Sequence, residues 1–202
     1  MKRSQVWLLS LFVALIAAAV AAPLAWFVAA GISARQKPGP IETRVARTAR
    51  HFMIPASARE MKNPETATPE VLELARNHFA DHCAGCHAND GSGASEMGHH
   101  LYPRAPDMRE DQTQNLSDGE LYYIIENGVR LTGMPAWGRG GYDDEDTWGL
   151  VLFIRQLPHL TKKDLDEMEQ FNPRSPAEMQ EEEEERRFLN GEPAPRGKNP
   201  NH

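Results

Sequence analysis

The chain of 202 residues holds two cysteines, both within Cys83-Ala84-Gly85-Cys86-His87. Two thiols three positions apart can add to the two vinyl groups on one edge of a porphyrin. The next residue then places an imidazole under the iron. Covalent links hold the macrocycle, so little surrounding protein is needed to retain it. Other chemistries use the same pair. A thioredoxin-like dithiol belongs in a βαβ setting, and no segment here shows strand alternation. A structural zinc ion needs two more ligands at close spacing; His82, His87, His99 and His100 keep that alternative in view. A buried thiol pair is disfavoured in an exported protein. The pattern favours one covalent haem c, with thioether links at Cys83 and Cys86 and His87 as an axial iron ligand.

An electron-transfer haem usually closes both axial positions. A thioether on the sixth favours ferrous iron and raises the potential. Met97, Met108, Met134, Met168 and Met179 follow the motif. Met134 is the best candidate, because Gly133 and Pro135 set a turn in Leu131-Thr132-Gly133-Met134-Pro135-Ala136-Trp137 that can aim its sulfur inward. It comes far enough after His87 to return over the opposite haem face. Met97 is too close, in a Gly/Ser loop, and Met108 is the reserve; any of them can instead be core filler. His99 or His100 would give bis-His iron, but both read as loop-surface residues. An open sixth site would instead suit an enzyme or a sensor.

Helices must position these groups. Thr68 can cap a helix with Pro69 at its first position. Val71, Leu72, Ala75 and Phe79 recur at helical spacing to about His82, delivering Cys83. A second helix opens at the capping box Ser117-Asp118-Gly119-Glu120 and stops at Gly128. A third follows the acidic run Asp143-Asp144-Glu145-Asp146, apolar almost all round from Trp148 to Leu157, and ends at Pro158. The fold class is all-α.

Residues 6–34 carry no charged side chain, with Lys2 and Arg3 before them and Arg35 and Lys37 after. That length spans a bilayer, with a kink at Pro23 and Trp7 and Trp26 near the interfaces. A cleaved secretory signal is the alternative, though Pro23 after Ala22 is a poor cleavage site and the apolar run is long for a signal. Residues 1–35 read as a transmembrane anchor and 36–67 as a linker broken by Pro38, Pro40, Pro55 and Pro64. Its basic stretch 43–50 reads as a solvated tether, with contact to anionic lipid as the sharper alternative. Residues 68–160 form the haem domain, and 161–202 an acidic, partly helical or disordered tail. Ser175-Pro176-Ala177-Glu178 is a further capping box there, and Glu182–Arg186 and Glu183–Arg187 are helical pairs. The formal net charge of −7 disfavours nucleic acid as a partner.

Residues 68–160 resemble a mono-haem class I c-type cytochrome. The likeness rests on Phe79 before Cys83-Ala84-Gly85-Cys86-His87, on Asp90-Gly91-Ser92-Gly93, on Ala105-Pro106-Asp107-Met108, on Gly133-Met134-Pro135-Ala136-Trp137 and on the Trp148 helix. It covers under half the chain. It implies a small helical domain round one haem, first and last helices crossing, His87 and Met134 as axial ligands, and a carbonyl of the 103–106 loop accepting from His87. Ala88 departs from the glycine frequent after the histidine. The resemblance, which does not cover the anchor, implies an electron carrier rather than an enzyme; the apolar run 6–34 adds the expectation of a tether to a bacterial inner membrane, with the haem domain on the periplasmic side. Its redox partners would be a dehydrogenase, an oxidase or a soluble carrier. The alternative is a haem subunit permanently docked on a dehydrogenase or terminal oxidase.

Overall fold

The computed structural model describes residues 3–30, 33–138, 144–174 and 176–191. Eleven α-helices order them: α1 (Arg3–Ala30), α2 (Pro40–Met53), α3 (Ala56–Arg59), α4 (Pro69–His78), α5 (Ala84–His87), α6 (Glu96–His100), α7 (Asp111–Gln114), α8 (Asp118–Asn127), α9 (Glu145–Gln156), α10 (Lys162–Met168) and α11 (Pro176–Leu189). No strand occurs among the described residues, so the fold is all-α. Helix α1 runs on through Pro23 and is long and apolar enough to cross a membrane by length and composition.

Local signals place the helices that carry the site. The Thr68 hydroxyl accepts from the Val71 amide at 3.3 Å, and Pro69 opens α4. The helix then widens into a π turn over Phe79–Cys83, closed by the Ala84 amide on the Phe79 carbonyl. Such turns often accompany functional sites; this one feeds the chain into α5, where Cys86 and His87 lie. At α8 the Ser117 hydroxyl accepts from the Glu120 amide at 3.1 Å, and the Ser117 amide donates to the Glu120 carboxylate at 2.8 Å. Asp144 caps α9, its carboxylate accepting from Thr147 at 3.0 Å; Asp143, read with it, lies outside the described residues.

Helices α4 and α9 pack together, Phe79 against Phe153 with ring centroids 5.2 Å apart. Tyr122 of α8 stacks on Trp148 of α9 at 4.1 Å. Phe79, Tyr122 and Val151 are fully buried, and each burial contributes roughly 1.5–3 kcal/mol. Arg155 fastens α9 to the start of α8. It donates to the Gln114 carbonyl at 2.7 Å, to the Leu116 carbonyl and to Asp118 at 2.8 Å.

Two stretches are more ordered than their composition suggests. Pro40 starts α2 rather than breaking it, since a first-turn proline lacks only an amide that would be unpaired anyway. Short α3 packs on α8, with Ala58 buried, and the Ser117 hydroxyl donates to the Arg59 carbonyl at 2.9 Å. Beyond residue 160, α10 returns to the core through fully buried Met168, and Arg76 pairs with Glu167 at 2.7 Å. The Glu183–Arg187 pair forms at 3.0 Å. The expected Glu182–Arg186 pair does not, because Glu182 pairs with Arg174 and Arg186 with Glu183. Ser175, the expected cap of α11, lies outside the described residues.

Candidate haem site

Cys83 ends the π turn, and Cys86 and His87 share the single turn of α5. Both thiols are free rather than joined in a disulfide. Burial, with Cys86 beside it, pushes the Cys83 thiol up to about 12. A redox dithiol works through a depressed thiol pKa, the opposite direction from that at Cys83. The unbridged sulfurs here suit capture by another electrophile. Among the described residues no group of three or more His, Cys, Asp or Glu side chains converges to hold a metal ion.

The His87 Nδ1 atom is buried and lacks a hydrogen-bond partner of normal geometry. The Pro106 carbonyl lies beside the imidazole and raises its pKa, while burial, the larger effect, lowers it. The burial favours the neutral ring, and a carbonyl that takes one ring nitrogen leaves the other for a metal. These are the features that a covalently attached iron porphyrin requires of its proximal histidine.

The 90–98 loop clamps the attachment turn. The Gly93 amide donates to the His87 carbonyl at 2.8 Å. The Ser95 hydroxyl sits 2.8 Å from the Gly85 carbonyl and 2.9 Å from that of Cys86, and accepts from Gly98 at 2.9 Å. A Cβ on Gly98 would lie 2.2 Å from the Cys86 carbonyl oxygen, and one on Gly93 would lie 2.4 Å from that of Ala105. Only glycine permits both approaches. The Met108 amide donates to Gly91 at 2.8 Å. Arg109 ties Asp107 to Asp90 at 2.7 and 2.8 Å, holding the Asp107 carboxyl below its ordinary range. The loop carrying Pro106 is therefore bolted to the loop that grips His87.

Met134 is half-buried in a tight loop, its amide donating to Thr132 Oγ1 at 3.1 Å and its carbonyl accepting from Val129 at 3.1 Å. That loop docks by the Trp137 amide on the Ile125 carbonyl at 3.1 Å. Trp137 packs edge-on against His82, the neighbour of Cys83, with centroids 5.6 Å apart. Gly133 meets the Leu101 side chain. The other candidates sit elsewhere. Met108 is buried in the core. Exposed Met97 has its sulfur 3.4 Å from that of Cys86. His99 and His100 are exposed, the latter hydrogen-bonded to the Glu96 carbonyl at 2.8 Å. Ser95 escaped the reading of the sequence, although a serine before Glu96 is the ordinary mark of a helix cap.

Residues 71–154 match the profile of the family described as Cytochrome C oxidase, cbb3-type, subunit III. Residues 71–154 are a c-type cytochrome domain. A domain of this kind is defined by covalent attachment of haem c. The chain is also 33% identical, over 90 residues, to the cbb3-type cytochrome c oxidase subunit FixPc of Rhizobium leguminosarum bv. viciae. The aligned part is 44% of this chain and 29% of that protein. The chain thus spans under a third of the relative's length.

Proposed function

We propose that the chain is a membrane-tethered c-type cytochrome passing single electrons through one haem. In this reading Cys83 and Cys86 carry the thioether links, and His87 and Met134 are the axial ligands. Helix α1 spans the bacterial inner membrane, and the cytochrome domain stands on its periplasmic side, in residues 68–160 after a connector of 36–67. The observation that carries the reading is the half-buried His87 imidazole, its Nδ1 atom shut from solvent and the Pro106 carbonyl beside the ring, next in the chain to a pair of free thiols. The bound haem supplies a reversible one-electron iron couple. The chain's own residues attach it, orient the proximal ring through Pro106 and hold the Met134 loop beside the attachment turn through Trp137. No acid, base or nucleophile is needed.

An optical spectrum of the purified protein with a pyridine test for thioether-linked haem checks the attachment. Met134→Ala is expected to keep the haem, lower the midpoint potential and abolish the far-red sulfur-to-iron charge-transfer band. An unchanged spectrum would remove Met134 from the ligand set. The matched family and the name of the Rhizobium relative favour a second reading, in which the domain is a docked subunit of a terminal oxidase. Co-purification with a large haem-containing partner after gentle solubilisation would support it. A solitary monomer would support the free carrier.

A further inference from the structure

Residues 33–53 carry Arg35, Lys37, Arg44, Arg47 and Arg50 against one carboxylate, Glu42, in a chain of net charge −7. At about 100° per residue, Ile41, Val45, Thr48 and Phe52 of α2 form one stripe, with Arg47, Arg50 and His51 on the other side. The stripe is bare: Ile41 is 82%, Val45 62% and Phe52 77% exposed. The polar side and flank are already engaged with the cytochrome domain. Glu42 accepts from the Tyr102 hydroxyl at 2.5 Å. His51 Nδ1 lies 3.7 Å from the Glu120 carboxylate, and Arg59 donates to the His51 carbonyl at 2.8 Å. Arg44 and Arg47 remain exposed.

Position then selects the occupant. Helix α1 ends at Ala30 and α2 begins at Pro40, and the nine residues between reach at most about 30 Å. A basic amphipathic helix held that close to a span, with its apolar face turned away from its own domain, has the form of an interfacial helix. We propose that α2 lies in the headgroup layer of an anionic phospholipid bilayer. Ile41, Val45 and Phe52 enter the acyl boundary, Arg44 at the edge of the stripe meets lipid phosphates and exposed Arg47 reaches down to them along its long side chain, and the cytochrome domain rides on the polar side. This rests on α1 being a span.

The test uses full-length holoprotein in vesicles of phosphatidylcholine, with and without phosphatidylglycerol. Thioether links occupy both native sulfurs, so one introduced cysteine takes a spin label. Val45→Cys probes the stripe, Ala18→Cys the span and Glu60→Cys the aqueous surface. The readout is accessibility to oxygen against a water-soluble nickel complex. With phosphatidylglycerol, the Val45→Cys label is expected to resemble the Ala18→Cys label. Each arginine near an anionic surface changes partitioning about fivefold, so adding Arg44→Gln and Arg47→Gln should cut the docked-to-lifted ratio about thirtyfold. A Val45→Cys label as wet as the one at Glu60→Cys, beside a lipid-immersed Ala18→Cys label, overturns the inference and leaves the span standing. Shielding from both reagents overturns it in favour of a protein partner or a second copy. Indifference to the arginine changes overturns the role of lipid charge. A wet Ala18→Cys label overturns the span, and this inference with it.

Discussion

Ala88 follows the proximal histidine with φ 59° and ψ 159°. Glycine occupies that region freely, whereas a residue with a Cβ pays about 1–3 kcal/mol to stay there. Three bonds impose it. The Ala88 amide donates to the Ala84 carbonyl at 2.8 Å, Gly91 to the Ala88 carbonyl at 3.0 Å and Gly93 to the His87 carbonyl at 2.8 Å. Ala88→Gly removes the strain and frees the unfolded chain, which costs about 0.5–1 kcal/mol. The balance is a gain of about 1 kcal/mol. Urea unfolding of the full-length holoprotein in detergent, followed at the Soret band, reads it. With a slope of about 1–3 kcal/mol per molar, the midpoint should rise by roughly half a molar. Ala88→Val should lower it, because a β-branched side chain fits that region worse than alanine. A midpoint that falls with glycine would show that the turn is not strained.

Further expectations follow from neighbouring contacts. Gly98→Ala should lose about 1–3 kcal/mol in the same assay, because its Cβ meets backbone oxygens of Cys86 and Gly93 at 2.2 and 2.6 Å. Gly149→Ala, whose Cβ would make ordinary contact with Ala75 at 3.5 Å, should be neutral or gain up to about 1 kcal/mol. Arg155→Met strips donors from the Gln114 and Leu116 carbonyls and from Asp118, at a cost of about 1–3 kcal/mol in the same unfolding curve. The Asp164 carboxyl is held below its ordinary range, first by the Thr161 hydroxyl, then by the Thr161 amide, with Arg76 also favouring the charged form. A depressed folded value means that its stabilisation is complete above about pH 4 and fades as pH falls through the folded value. Asp164→Asn should remove that part of the acid-side loss in thermal melts taken at successive pH values.

The attachment turn was legible because two cysteines and a histidine at fixed spacing have few chemical uses, and the helices because Thr68, Ser117 and Asp144 cap them locally. Pro106 could be narrowed only to its loop, since the acceptor is a main-chain carbonyl with no side-chain mark. The π turn at Phe79–Cys83 shifts the register by one residue without changing residue types, so helical periodicity ran through it to His82. Helix α2 was hidden by Pro38 and Pro40, which read as breakers until one of them proves to be a first-turn residue. Buried Met168 lay inside an acidic composition whose average masks one core contact.

The connector bears on which redox partners the domain can reach. Were residues 31–67 a flexible coil, they would give it a root-mean-square reach of roughly 30–35 Å. Instead α2 and α3 are folded, and α3 packs on α8. Only nine residues separate the end of α1 at Ala30 from the start of α2 at Pro40. If α1 spans a membrane, a connector so folded would hold the domain near one height above it rather than let it swing between distant sites. The domain's effective concentration would therefore be high for a partner whose cofactor lies at that height and low for any other. A flexible Gly/Ser insertion between Gln36 and Lys37 separates the cases. Electron delivery to a membrane-embedded acceptor should fall while the midpoint potential and spectrum stay fixed. Unchanged delivery would mean that the domain already moves freely, and that the folded connector does not set its height.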